Sequence, residues 1–399
     1  MLMRILLLSF YYPPDIGPGP LRAKSIVDAL QAVSERAGVT SLSIDVLTTL
    51  PNRYHSMTAD ALEFEQIGNV AIRRFALPAH HSGMADQSRA FVAYARAVRG
   101  QVKGEAYDIV IATSSRLLTV SLGAWAARKT QAKLYLDIRD LLTNTLKDVL
   151  AKSPLRMLLP VFRWLERWTF RKADQINVVS AGFLPHMQAV VPTKQPSVLT
   201  NGIDDEFLAA DFSLDCPNET PVVLYAGNMG EGQGLYHVIP SIAKSLEGQV
   251  NFQLLGDGGR KMTLVDLLTD YGVGNVKVLD PVSREALFAH YRNADVLFLH
   301  LNDYPAFHKV LPSKIFEYAA TGKPILAGVA GYAADFLREQ VLGVEVFPPC
   351  DAVAMEQGLK RLLAGPRIID RKAFCERYRR DRIMQEMAGS ILDLGGNDD

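Results

Sequence analysis

Leu311-Pro-Ser-Lys-Ile-Phe-Glu-Tyr-Ala-Ala-Thr-Gly-Lys-Pro324 is the stretch from which the fold of this chain is read. The spacing predicts a short helix over 312–321 after a buried strand, with Lys314 and Glu317 one turn apart. Thr321-Gly322-Lys323-Pro324 ends that helix, because glycine closes a helix C-terminus and proline does not continue one. A cation beside a helix N-terminus suits a phosphate, which the first-turn N–H groups also attract. A carboxylate one turn on can accept hydrogen bonds from a ribose. Ser313, Lys314 and Glu317 are therefore candidate ligands of a nucleoside diphosphate; the plainer reading is an i,i+3 surface ion pair.

The surrounding half repeats one pattern. Strands are predicted at 222–226, 251–255, 276–279, 296–299 and 324–327, and helices at 235–246, 260–271 and 284–293. The first strand runs into Tyr225-Ala-Gly227-Asn228-Met-Gly230-Glu-Gly232-Gln233-Gly234, whose glycines can turn backbone N–H groups toward a diphosphate. Gly230 and Asn228 are candidate contacts in it. The second runs into Leu255-Gly-Asp-Gly-Gly-Arg260-Lys261, where either cation can neutralise phosphate or be solvated.

The other half alternates in the same way, with strands predicted at 5–10, 43–48, 70–75, 108–113, 133–137 and 175–179 and helices at 21–36, 85–102 and 117–129. Several strands are continuous apolar runs, as parallel strands covered on both faces are. The first ends in Tyr11-Tyr-Pro-Pro-Asp-Ile-Gly17-Pro-Gly19-Pro20-Leu-Arg22, a loop with Gly17 and Gly19 facing a ligand and Pro20 opening the helix. Arg22 either contacts phosphate or acceptor, or caps a surface. The fifth ends in Asp137-Ile-Arg139-Asp140, read as a site edge in which Asp140 can accept a proton, against a structural Arg139–Asp140 pair.

The chain has 399 residues, 43 Lys plus Arg and 43 Asp plus Glu, which argues for two domains and against broad nucleic-acid binding. Cys216, Cys350 and Cys375 are far apart and odd in number, pointing to a reducing compartment and no structural zinc. No apolar run reaches the roughly 18–20 residues of a membrane span, so a cytoplasmic protein is expected. Residues 147–172 interleave Lys152, Arg156, Arg163, Arg167, Arg171 and Lys172 with Trp164, Trp168 and many aliphatics. That segment either lies on an anionic membrane face or packs on its own domain. Of the eight histidines, His237 and His290 fall inside predicted helices. His308 is a candidate catalytic residue; His55, His80, His81 and His300 carry no assignment.

Together these loops resemble the retaining nucleotide-sugar glycosyltransferases of family 4. The resemblance rests on Tyr11-Tyr-Pro-Pro-Asp-Ile-Gly, Asp137-Ile-Arg-Asp, Ala173-Asp174, Asn201-Gly-Ile-Asp204, Tyr225-Ala-Gly-Asn and Pro312-Ser-Lys-Ile-Phe-Glu-Tyr. It implies an α/β GT-B fold: two Rossmann-like, doubly wound domains facing across a cleft, with a C-terminal helix crossing back. The implied boundaries are 1–203 for the acceptor domain, 204–220 for a linker, 221–368 for the nucleotide-sugar domain and 369–399 for the crossover helix and tail. Within the family the chain looks most like bacterial O-antigen and exopolysaccharide enzymes, including N-acetylfucosamine transferases. The implied donor is a UDP-sugar, the implied acceptor a polyprenyl-diphosphate-linked saccharide, and no metal is required. A UDP-sugar epimerase and a non-catalytic assembly factor are the alternatives. Relatives carry two glutamates; Glu317 matches the ribose-binding one, and Lys309 stands where the other is usual. Gln233 stands where a lysine is common.

Overall fold

The computed structural model describes residues 2–15, 17–36, 41–52, 61–78, 84–114, 116–149, 154–213 and 218–396. His55, His80, His81 and Cys216 lie outside them. The chain divides into two compact units, Met1–Asn201 with Arg380–Asp399, and Gly202–Arg379.

The first unit is built on strands β1 (Met3–Leu8), β2 (Leu42–Thr49), β3 (Phe64–Ile67), β4 (Val70–Phe75), β5 (Ile109–Ser114), β6 (Lys133–Ile138), β7 (Gln175–Val178) and β8 (Ser197–Val198). Among the described residues they form one sheet in the order β3-β4-β2-β1-β5-β6-β7-β8. All pairings are parallel except the β3–β4 hairpin. β5 is buried at every residue, as a strand covered by helices on both faces must be, whereas β4 alternates. The short β3, Phe64-Glu-Gln-Ile67, is mostly exposed and has neither an apolar run nor an alternation. Helix Pro18–Arg36 starts at Pro18 rather than near Pro20, and its buried face is led by Arg22, Ala23, Ile26 and Leu30. Helix Arg380–Gly396 packs on it and on β5 and β6, through buried residues including Ile383, Met387 and Ile391.

The second unit has β9 (Val222–Ala226), β10 (Asn251–Leu255), β11 (Val276–Leu279), β12 (Val296–His300), β13 (Ile325–Gly328) and β14 (Val344–Phe347). Its described strands are all parallel, in the order β11-β10-β9-β12-β13-β14. β14 and the helices Tyr332–Gln340 and Ala352–Leu363 extend it beyond the expected elements.

Two expectations change. Within 204–220, Phe207 of helix Asp205–Ala209 and Phe212 just beyond it pack into the second unit's core, with the Phe207 ring centre 4.8 Å from that of Phe288. Its polar composition concealed two aromatic anchors, and the segment belongs to the second unit. The single crossover helix expected within 369–399 is instead two, Lys372–Arg377 and Arg380–Gly396. Phe374 and Tyr378 stack into an aromatic group with Phe316 and Phe336, and that anchoring ends the first helix in the second unit.

Candidate functional site

Strand order reverses between β9 and β12 in the second sheet, and ligands of doubly wound sheets sit beyond the strand ends at such a reversal. Lys314 opens helix Lys314–Ala320. Ile315, Phe316, Tyr318 and Ala319 are buried, which leaves Lys314 and Glu317 on the outer side. The Tyr318 hydroxyl accepts from the Ala226 N–H at 3.3 Å and ties this helix to the end of β9. Gly227 follows at φ 151°, and a Cβ there would lie 1.9 Å from Lys314 Nζ. The absent side chain is thus what admits the ammonium, which lies 5.6 Å from the Tyr225 ring centre. Tyr225 Oη donates to the Asn228 carbonyl at 2.5 Å and fixes the turn. Ser313 precedes the helix in helical backbone and makes no side-chain cap.

Glu317 accepts a hydrogen bond from the buried Tyr291 phenol, and Arg284 contributes a nearby positive field. Burial first, and then the Glu317 charge, hold the Tyr291 phenol far above its ordinary value. Arg284 itself donates to Asp204 and Glu206, each at 2.5 Å. Tyr291 and Arg284 lie on a helix whose sequence reads as ordinary amphipathic surface, so nothing in the sequence marked them.

The glycine-rich loop is held by its own side chains. Asn228 Nδ2 donates to Gln233 Oε1 at 2.7 Å, and the Gly230 N–H donates to the same oxygen at 3.3 Å. Glu231 takes Tyr236 Oη at 3.0 Å, Tyr304 Oη at 2.8 Å and Arg260 Nε at 2.7 Å. Arg260 is therefore drawn to the loop, while Lys261 turns to Asp280 at 2.5 Å. Burial pushes the His300 imidazole down to about 4, so it is neutral near pH 7. Its Nδ1 donates to the Gln233 carbonyl at 2.6 Å and its Nε2 accepts from the Cys350 N–H at 3.0 Å. His300 thus pins the loop from beneath. His308 lies in the 3-10 turn Phe307–Lys309 with Nε2 2.8 Å from Asp303. Among the described residues, no group of three or more His, Cys, Asp or Glu is placed to hold a metal ion.

Gly17, Gly19 and Asp140 belong to the first unit. A Cβ on Gly19 would lie 2.7 Å from Arg139 Nη1, so the helix start and that guanidinium are in close approach. Loss of hydration pushes the Asp140 carboxyl up to about 6, against the opposing pull of the Leu141 N–H and Arg139. Two neighbours depart from the expected site edge. Arg22 and Asp137 are completely buried and form a two-pronged ion pair at 2.8 Å. Arg22 also donates to the Thr200 and Leu199 carbonyls, and Asp137 accepts from Thr113 and Asn177. Their charges are spent inside the unit and do not reach a ligand.

Residues 29–202 match the family model "Glycosyl transferase 4-like domain", and residues 208–381 match "Glycosyl transferases group 1". The chain is 30% identical over 154 residues to the putative colanic acid biosynthesis glycosyl transferase WcaI of Escherichia coli K12; the match covers 39% of this chain and 36% of that relative. Sucrose-phosphate synthase from Thermosynechococcus elongatus superposes with TM-score 0.69 at 15% identity, over 99% of this chain and 96% of that one. Anabaena HepE, solved in complex with UDP-glucose, gives 0.65 at 16% identity, over 98% and 99%. At such identities the structures establish the fold, which is GT-B. With its two halves each matching a glycosyltransferase model, the chain is a glycosyltransferase of the GT-B, GT4-like class.

Proposed function

We propose that this chain transfers a sugar, with retention of configuration, from a UDP-sugar to a polyprenyl-diphosphate-linked saccharide in the synthesis of a bacterial surface polysaccharide. The observation that carries the donor side is the seating of Lys314 against Gly227, with Glu317 one turn along the same helix. The UDP-glucose bound by HepE and the colanic acid role named for WcaI support the choice of donor and pathway class.

In this reading Glu317, oriented by Tyr291, holds the ribose. Lys314, Arg260 and Asn228 face the diphosphate and stabilise the charge that develops as it leaves; the Met229 and Gly230 N–H groups are taken within the protein by Asp257 and Gln233. Ser313 completes the phosphate side, while Lys261 stays with Asp280. The departing phosphate accepts the proton of the incoming hydroxyl, with Asp140 on the acceptor side and His308 near the donor sugar. No metal takes part, so activity should survive EDTA.

The acceptor's lipid places the reaction at a membrane surface, and the first unit offers a face for it. No described helix is long and apolar enough to cross a membrane. In the stretch from Pro154 to Lys172, however, Met157 is 85%, Val161 59% and Trp164 65% exposed. Arg156, Arg163, Arg167, Arg171 and Lys172 are exposed beside them. The stretch has one carboxylate, Glu166, which is buried and engaged by Thr143 and His186. The outward face is thus apolar and cationic, as an anionic bilayer requires.

The test is incubation with a panel of UDP-sugars and short polyprenyl-diphosphate saccharides, read by mass spectrometry. A lipid product heavier by one sugar, and lost in Glu317→Ala, is expected. Epimerised UDP-sugar without acceptor, or nucleotide binding with no turnover, would overturn the transferase reading.

A further inference from the structure

In the first sheet strand order reverses between β1 and β5, and Arg116 stands just beyond that reversal. Its guanidinium sits in the corner of two rings set 82° to each other, 4.3 Å from the Phe10 centre and 5.1 Å from that of Tyr11, and Nη2 donates to Tyr11 Oη at 2.6 Å. It is partly exposed and, among the described residues, pairs with no carboxylate. Several other arginines of this unit are neutralised: Arg4 and Arg73 by Asp45, Arg22 by Asp137, and Arg74 by Glu65. Arg116 is held in one orientation with its charge uncompensated.

Arg139 is brought to the same edge. Ser114 accepts the Arg116 N–H on Oγ at 2.8 Å and the Arg139 N–H on its carbonyl at 3.3 Å, so the two backbones share one anchor. The Arg139 guanidinium lies against Gly19, in the first turn of the helix that follows the loop leaving β1. Two guanidiniums therefore flank the β1 turn at the ends of β1, β5 and β6. Planar forks of this kind match phosphate oxygens in pairs, and a fork already fixed by packing loses little freedom on binding.

We infer that Arg116 and Arg139 form a second phosphate site, in the first unit, that receives the diphosphate of the acceptor. The inference rests on the acceptor class proposed above for its ligand, but the site itself is testable without transfer. Inorganic pyrophosphate and farnesyl diphosphate are titrated calorimetrically into the full chain with UDP present at saturation, so that the donor site is filled. Both should bind. Arg116→Gln should weaken both about tenfold or more, Arg116→Lys less, and neither should change UDP affinity. Unchanged UDP affinity also reports that the variants fold. Loss of pyrophosphate binding when UDP is saturating would assign it to the donor site and overturn the inference. So would Arg116→Gln binding both probes like the unmodified chain. Arg116-dependent binding together with no product from any acceptor would retain the phosphate site and remove the proposed reaction.

Discussion

Lys314 and Gly227 pack as one unit, because the ammonium occupies the space a side chain would take. Gly227→Ala puts a methyl carbon 1.9 Å from Nζ and should displace it. UDP affinity should then fall about tenfold, as in Lys314→Met, by titration calorimetry. Asp140 makes a different prediction, through its raised value of about 6. If its carboxylate serves the acceptor, kcat/KM should fall tenfold per pH unit below about 6 and level off above. The stability sign follows from the same shift. Burial favours the protonated form, so Asp140 costs nothing below its ordinary value, and stability is lost as pH rises toward about 6. Asp140→Asn should therefore be more stable at pH 7 by about 1 kcal/mol, a figure reduced for partial exposure, while losing activity. At this scale the sequence showed the site unevenly. Lys314 and Glu317 were legible because helical spacing puts them on one face. Asp137 looked equivalent to Asp140, yet one is locked on Arg22 and the other is not. Tyr291, His300 and Arg116 act through partners distant in sequence, which no local pattern records.

Among elements, helix Pro18–Arg36 is fastened by Arg22 to β6 and to the chain leaving β8. Removing one partner leaves a charge buried without its counter-ion. Arg22→Ala or Asp137→Ala should destabilise the first unit by about 3–5 kcal/mol, seen as a lowered first transition in calorimetry. UDP binding, proposed above for the second unit, should persist at temperatures below that transition. The central strands were legible as apolar runs, and their ends moved by only a residue or two. The strands missed were those with weaker patterns: β3 at an exposed edge, the short β8, and β14, which is mostly half-buried. Helix starts were set by backbone detail, as at Pro18, rather than by composition.

At the scale of the molecule, the cationic face between Pro154 and Lys172 predicts recruitment to lipid. The chain should float with vesicles containing phosphatidylglycerol and not with pure phosphatidylcholine. Trp164→Ala with Arg163→Gln and Arg167→Gln should abolish most of that binding, and salt should weaken it in the unmodified chain. Two α/β halves were legible because the strand–helix alternation restarts. The precise place where the chain changes unit was not, since Phe207 and Phe212 make an apparent linker part of a core.

The first unit is discontinuous, its last helix arriving only after all of Gly202–Arg379. During translation domains ordinarily mature in the order in which they leave the ribosome. Here the order is reversed. The second unit has its whole sequence first, while the first waits on the order of 10–30 s for the helix that covers Pro18–Arg36. Throughout that interval the nascent N-terminal half presents a bare apolar face, which makes it the part of this protein with most need of a chaperone during synthesis.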